Sequence, residues 1–373
     1  MKFDTLAVHA GAEPDEQTGA LSPPIHLSTT FRHGPAGELV DDLEYQRDDH
    51  PTQRRLQEAL AALEGGERAL AFASGMAAVA AVLDTLQRGQ RWLLAEDCYA
   101  GTRTFAAEVL HERGVETLTA DLTDLDAVRA ACADGIALLW AESPSNPRIR
   151  ISDLAELARI AHAQGALLVC DNTFATPVLQ KPLEFGADIV MHSTTKYFGG
   201  HSDVLGGALV FARNDDLAGR IAQRRLLSGA VLSPFSAWLT LRGCRSLPAR
   251  MRVHCANAAR VAEFLGAHPA VEIVHYPGLP THPGHTLAEK QMSGFGGMLS
   301  IQLRGGRDAA LRVAGKLKLF VNATSLGGCE SLVEHRASVE GTHSTSPQNL
   351  LRFSIGLEDP EDLIADLRQA LAS

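Results

Sequence analysis

The chain has 373 residues, 45% of them hydrophobic; at about 150 residues per domain that is room for two globular domains, and it excludes a disulfide-stapled miniprotein or a disordered tail. Six cysteines (Cys98, Cys132, Cys170, Cys244, Cys255 and Cys329) stand singly with no Cys-x-x-Cys pair, so no zinc site or disulfide framework is expected, and a reducing, cytoplasmic compartment is. The net charge is −10, from 44 acidic against 34 basic residues; the bases are dispersed and no apolar run approaches the roughly 18 residues of a membrane span, so neither nucleic acid nor a membrane is an expected partner.

No apolar stretch follows Met1, so no signal peptide is expected, and the first 45 residues, with Pro23-Pro24 and no sustained period, read as an extended arm lying on another surface. Beyond it, short β-rich runs alternate with amphipathic stretches, the signature of a mostly parallel sheet covered by helices. Strands are predicted at 69–73, 92–95, 115–119, 136–141, 166–170, 189–192 and 208–211, and helices at 75–86, 102–113, 125–133 and 153–164. Ser152 offers a cap for the last of these helices and Gly165 closes it. From about residue 226 the pattern changes to long helical tracts, 236–247 and 250–266, followed by a Pro/Gly-rich loop over 276–285. Strands at 297–303 and 350–355 and a helix from Asp359 complete a second domain. The expected division is an arm over 1–45, a large cofactor domain over 46–235 and a C-terminal domain over 236–373.

The bases are nearly all arginine: Lys2, Lys181, Lys196, Lys290, Lys316 and Lys318 are the only lysines, and Lys196 lies in an otherwise uncharged segment. An amine can deprotonate and add to a carbonyl, whereas a guanidinium cannot. In His192-Ser-Thr-Thr-Lys-Tyr-Phe-Gly-Gly-His201, Lys196 follows a buried run with Ser193 and Thr195 beside it. That is the carboxyl end of a strand, where open α/β sheets place ligands. The pattern suits a Schiff-base lysine for an aldehyde cofactor whose phosphate the hydroxyls hold; a surface turn is the alternative. Asp171 ends another apolar run, where it can face a protonated pyridine nitrogen or simply form a turn. A lysine and an aspartate on two strand ends together favour pyridoxal 5′-phosphate.

Ala73-Ser-Gly75-Met76 adds a strand–helix junction with free amides for a phosphate, and no nucleotide-binding glycine fingerprint follows any strand. Tyr99 can stack on a cofactor ring or pack at an interface, and Tyr45 with Arg47 can meet a phosphate or form a solvated turn. Arg352 sits in an apolar strand where a guanidinium needs a carboxylate; if no acidic side chain is nearby, the substrate's own is a candidate. His275, His282 and His285 share a loop but lack a metal-site pattern, so no metal is expected.

These segments, with Glu142-Ser-Pro-Ser-Asn-Pro147, Gly294-Phe-Gly-Gly-Met298, Ser325-Leu-Gly-Gly-Cys-Glu-Ser-Leu332 and Leu351-Arg-Phe-Ser-Ile-Gly-Leu-Glu-Asp359, resemble the pyridoxal-phosphate enzymes of cysteine and methionine metabolism over nearly the whole chain. That group contains cystathionine γ-synthase, cystathionine γ-lyase, cystathionine β-lyase and methionine γ-lyase. The resemblance implies an α/β, aspartate-aminotransferase-like fold with a mostly parallel seven-stranded sheet and a smaller C-terminal α/β domain, usually as a homotetramer of two active dimers. It implies that Lys196 binds the cofactor and moves protons, that Asp171 faces the pyridine nitrogen, and that Tyr99 stacks on the ring and assists elimination. Gly75, Met76, Ser193 and Thr195 would hold the phosphate, joined by Tyr45 and Arg47 from the neighbouring subunit. Arg352, Asn146 and the backbone around Ser325 would hold the substrate α-carboxylate, with Glu44 near the substrate's distal end.

The chain departs from the family pattern at Thr324, where a glutamate is common, at His50 in place of an asparagine, in a shorter stretch after Tyr99 and in a shorter loop after His335-Arg-Ala-Ser-Val339. These departures bear on the substrate and leave the cofactor residues intact. The expected reaction is a γ-replacement joining an O-acylhomoserine to cysteine, with γ-elimination of cystathionine as the nearest alternative and methionine γ-lyase or cystathionine β-lyase chemistry behind it. A silent paralogue acting as an interaction subunit is the non-enzymatic alternative.

Overall fold

Seven strands form the large sheet: β1 Arg68–Phe72, β2 Arg91–Ala95, β3 Glu116–Ala120, β4 Leu138–Glu142, β5 Leu167–Asp171, β6 Ile189–His192 and β7 Gly207–Phe211. The computed structural model describes residues 1–341 and 344–372. The order across the sheet is β1-β7-β6-β5-β4-β2-β3, and only β7 runs against its neighbours. Strands β4 and β7 are buried along their whole length, as expected of a sheet covered on both faces. All seven predicted strands are present, shifted by at most two residues at their starts.

The covering helices show where the sequence pattern misleads. The helix at Leu154–Ala163 is capped by Asp153, whose side chain accepts from the Glu156 amide at 3.0 Å, and not by Ser152. Ser152 instead lends its backbone N–H to Ser143 Oγ and its carbonyl to Gln291, tying two loops together. The predicted helix at 102–113 is α-helical over Ala100–Phe105 and continues as a π turn over Ala106–Leu110. The two long tracts begin earlier than expected, at Pro234–Cys244 and Leu247–Gly266, because each has proline in its first turn, where a missing N–H costs nothing.

Helices Pro51–Glu64, Asp216–Ser228 and Gly306–Lys316 were not anticipated. The first is centrally placed: Leu56, Leu60 and Leu63 are fully buried against the β1–β7 side of the sheet and against Leu241 and Met251 of the long helices. The opening 45 residues also hold a helix, Phe3–His9, whose Phe3, Leu6 and Ala7 pack on that same cluster. After it the chain runs without extended pairing, anchored where Trp238 Nε1 donates to the Pro23 carbonyl at 3.0 Å.

A second sheet has β8 Val271–His275, β9 Met298–Leu303, β10 Val321–Asn322, β11 Leu332–Glu334 and β12 Leu350–Ser354, in the order β10-β11-β12-β9-β8. Strand β8 precedes the 276–285 loop, so this sheet begins earlier than the sequence suggested. Its helices, Leu247–Gly266, Gly306–Lys316 and Pro360–Leu371, bury Val261, Leu265, Ala310, Leu363 and Leu367 on one face. The antiparallel pairing of β11 with β12 sets Glu334 directly opposite Arg352. If the cap assignment is right, Asp153→Ala lowers unfolding stability by about 1 kcal/mol, whereas Ser152→Ala leaves it nearly unchanged; urea denaturation of the two variants distinguishes them.

Candidate active site

Parallel strands end on one edge of their sheet, so residues far apart in sequence meet there. Here the register places Glu142 at the end of β4 beside Asp171 at the end of β5, and Asp171 beside Met191 of β6. Lys196 follows β6 on the same edge. A cavity of about 480 Å³ opens over this edge, and its lining includes Lys196, Asp171, Gly75, Tyr99, Thr324 and Arg352. Asn146, Ser325, Met76, Ser193 and Thr195 face the same space. The structure therefore brings together every predicted site residue except the three on the N-terminal segment.

Lys196 Nζ donates to Ser325 Oγ at 2.7 Å. Burial first, and the neighbouring Arg352 guanidinium second, hold its amine down at about 8, so a substantial fraction is neutral near physiological pH. Ser325 is held at φ +87°, a conformation an L-residue adopts only when its surroundings impose it. Asp171 is buried and its carboxyl is pushed up by that burial, against which the Thr173 hydrogen bonds work. Among the described residues no cation pairs with it, so a protonated ring nitrogen would supply the missing counter-charge.

Glu142 is a residue that sequence reasoning did not single out, although it opens the Glu142-Ser-Pro-Ser-Asn-Pro147 segment. Burial and the adjacent Asp171 drive its carboxyl well above the ordinary carboxylate range. It accepts from the Tyr99 backbone N–H at 2.8 Å and so fixes the start of the helix at Ala100–Phe105. The Tyr99 ring lies across Gly101: a Cβ there would come within 2.5 Å of the ring and 3.0 Å of Met76 Sδ. Only glycine lets the phenol fold back over its own helix.

The phosphate end is the amino terminus of helix Gly75–Leu83, capped by Ser74. A Cβ on Gly75 would stand 3.1 Å from both Cβ and Oγ of Ser193, so the two segments meet closely enough to cradle an anion between free amides and a hydroxyl. Thr195 is differently engaged: its hydroxyl donates to the Gly206 carbonyl and accepts from the Gly206 N–H, both at 3.1 Å.

Arg352 requires a correction. Its premise was that no acidic side chain lies near, yet Glu334 accepts from Nη2 at 2.8 Å, as the cross-strand register dictates. Nη1 donates to Asn146 Oδ1 at 3.0 Å and Nη2 also to the Ser325 carbonyl at 3.2 Å. Of the five N–H donors of a guanidinium, the Nε one and one on Nη1 stay clear of these bonds. Glu44, Tyr45 and Arg47 lie apart, lining a separate surface depression with Thr30 and Phe31, where the Arg47 guanidinium sits 5.3 Å from the centre of the Tyr45 ring. The three histidines do not share one loop: His275 ends β8 and pairs with Gln302 of β9, while in the loop His282 Nδ1 accepts from the Gly284 N–H and His285 Nδ1 meets the Pro277 carbonyl.

A neutralisable amine and a buried, unpaired carboxylate on one side of a helix terminus suited to phosphate define an enzyme that works through pyridoxal phosphate. The residues present fit that group in kind: an amine, a buried carboxyl and a helix amino terminus line one cavity. The chain belongs to the family of Cys/Met metabolism PLP-dependent enzymes, whose profile matches residues 4–372, and its cofactor is pyridoxal 5′-phosphate. It is 46% identical over 373 residues to a cystathionine gamma-synthase of Mycobacterium tuberculosis, covering 98% of this chain and 96% of the relative. It is 42% identical to a cystathionine beta-lyase of Coxiella burnetii, covering 99% and 97%. The crystal structure of cystathionine gamma synthase from Xanthomonas oryzae pv. oryzae in complex with cystathionine superposes with a TM-score of 0.96 at 43% identity, covering 100% of this chain and 98% of that one.

In the cofactor-free protein, the reactivity of Lys196 toward an aldehyde reagent rises with pH through a midpoint near 8, because the neutral amine is the nucleophile. Arg352→Leu removes the adjoining cation and moves that midpoint upward; labelling followed by peptide mapping reads both.

Proposed function

We propose that the protein is a cystathionine γ-synthase, which joins an O-acylhomoserine to L-cysteine. The observation that carries this reading within the family is the similarity, over 98% of this chain, to a cystathionine gamma-synthase. Thr324, on the cavity wall one residue before Ser325, is uncharged where synthases and lyases alike commonly carry a glutamate, so it bears on both activities equally. The similarity to two synthases, at 46% and 43% identity, supports the same choice.

In this reading Arg352, Asn146 and the backbone around Ser325 orient the substrate α-carboxylate, which sets the α-carbon toward Lys196. Pyridoxal phosphate supplies a ring that takes up the electrons released when a proton leaves the α-carbon. Asp171 keeps the ring nitrogen protonated. The Lys196 amine, held at about 8, would take the α-proton and pass it on before taking a β-proton; the γ-acyloxy group leaves as a carboxylate, and once the cysteine thiol has added at the γ-carbon the lysine returns protons to the β- and α-carbons. The hydrogen bond to Ser325 Oγ holds the amine on the α-carbon side of the cavity. Tyr99, on the cavity wall, would stack on the ring and assist departure of the γ-substituent. Glu142, fixing the Tyr99 backbone, is a positioning residue.

The separate placement of Glu44, Tyr45 and Arg47 has a natural account in a second copy of the chain, whose cavity they complete: Tyr45 and Arg47 at the phosphate, Glu44 near the distal end of the substrate. The assembly proposed is a homotetramer of two such dimers. Tyr45 and Tyr99 are each about two-fifths exposed in the single chain, at 42% and 43%, as interface aromatics are before association.

Incubated with O-succinylhomoserine and cysteine, the holoenzyme forms cystathionine; given cystathionine alone, it releases little α-ketobutyrate. Rapid α-ketobutyrate release without cystathionine synthesis would replace the synthase reading by a γ-lyase one. Lys196→Ala and Arg47→Ala, each nearly inactive alone, regain activity when the chains are unfolded and reassembled together, since one site in the mixed dimer has both residues intact. If the mixture stays inactive while each variant still binds cofactor, Arg47 serves no neighbouring site.

A further inference from the structure

Five charged side chains form a continuous buried chain from the C-terminal sheet to the helix that carries Tyr99. Arg352 pairs with Glu334 at 2.8 Å, and Glu334 with Arg336 at 2.6 Å. Arg336 reaches Glu340 through Nη2 at 3.0 Å and Nε at 3.1 Å, and Glu340 meets Arg103 at 3.4 Å. Arg103 anchors to the Cys98 carbonyl at 2.5 Å, one residue before Tyr99. All five side chains are 10% exposed or less, and Glu334, Arg336, Glu340 and Arg352 line the cavity of Lys196. Ser344 and Ser346 hydroxyls also donate to Glu340, whose carboxyl stays below its ordinary value despite burial because Ser346 and Arg336 favour the charged form.

We propose that Arg336 and Glu340 are positioning residues that set Arg352 for the substrate α-carboxylate, clamping the second domain to the Tyr99 helix. Three guanidinium groups against two carboxylates leave one positive charge uncompensated inside the protein. Such a charge is costly until an anion arrives, and the N–H groups of Arg352 outside its protein bonds offer that anion a place. Arg336 bridges two carboxylates that would otherwise repel, so its loss frees Glu334 to take more of Arg352 for itself and to compete with the substrate. Lysine cannot replace it, because a single ammonium does not span both partners as the planar fork does. The proposal rests on the assignment of Arg352 to the substrate carboxylate made above.

The test compares L-alanine, which has no leaving group, with ethylamine, which is alanine without its carboxylate, each binding to the holoenzyme and read from the absorbance of the bound cofactor. Arg336→Met and Glu340→Gln each weaken L-alanine by about tenfold while ethylamine affinity changes by no more than about twofold, the size expected for breaking a buried charge pair at a binding site. Arg352→Leu is the reference and abolishes the preference for the amino acid. Unchanged alanine affinity in Glu340→Gln and Arg336→Met, beside a loss in Arg352→Leu, overturns the clamp and leaves the carboxylate assignment standing. An equal loss for both ligands assigns the pair a purely structural role and also overturns it. If Arg352→Leu keeps the preference, the carboxylate assignment and the clamp fall together. Should Arg336→Met not fold, Glu340→Gln decides alone: its amide oxygen can keep the Arg336 hydrogen bonds and its NH2 can donate to the Ser344 and Ser346 hydroxyls, while the charge and the Arg103 contact are lost.

Discussion

The amine of Lys196 shares one cavity with groups that should not be buried together: the carboxyls of Glu142, Asp171, Glu334 and Glu340 and the guanidinium groups of Arg336 and Arg352. Everything else in the molecule serves to make that concentration of charge tolerable. Parallel strands deliver Glu142, Asp171 and Lys196 to one edge, and close packing of apolar residues on both faces of the sheet keeps water from dispersing the fields they create. The result is a lysine near its own midpoint and carboxyls raised above theirs, the opposite displacements that acid–base chemistry at one site requires.

Two different routes neutralise this charge. On the large-domain side Asp171 awaits a cationic ring nitrogen, so the cofactor itself completes the balance. On the C-terminal side the charges compensate one another along a chain of alternating sign, leaving a surplus that matches a carboxylate. Ligand binding thus satisfies electrostatic demands that folding leaves open, which couples occupancy to the stability of the active geometry.

Much of the large domain was legible in the sequence, since short apolar runs separated by amphipathic stretches have few other interpretations, and Lys196, Asp171, Gly75 and Arg352 could be read from strand ends and a glycine. What escaped detection depended on contacts across distance. Helix Pro51–Glu64 has its apolar stripe at Leu56, Leu60 and Leu63, but it opens on a charged, proline-led stretch that reads as loop. Strand β11 is three residues long, too short to show any period, so the carboxylate opposite Arg352 was invisible. Ser152 and Asp153 are both plausible caps in one dimension, and only the tertiary demands of Ser143 and Gln291 on Ser152 separate them. Glu142 looks like one acid among 44 until the register sets it beside Asp171.

The facing of Glu334 and Arg352 across two antiparallel strands carries a consequence for how this chain can change over time. Side chains alternate between faces along a strand, so inserting or deleting a single residue in β11 would turn Glu334 to the opposite face and strand the guanidinium in apolar surroundings. A change of length leaves that pairing in register only when it falls outside the strand. The reach of the cavity can diverge among related proteins at that margin, while the grip on the amino acid's acid group is locked by a two-residue repeat.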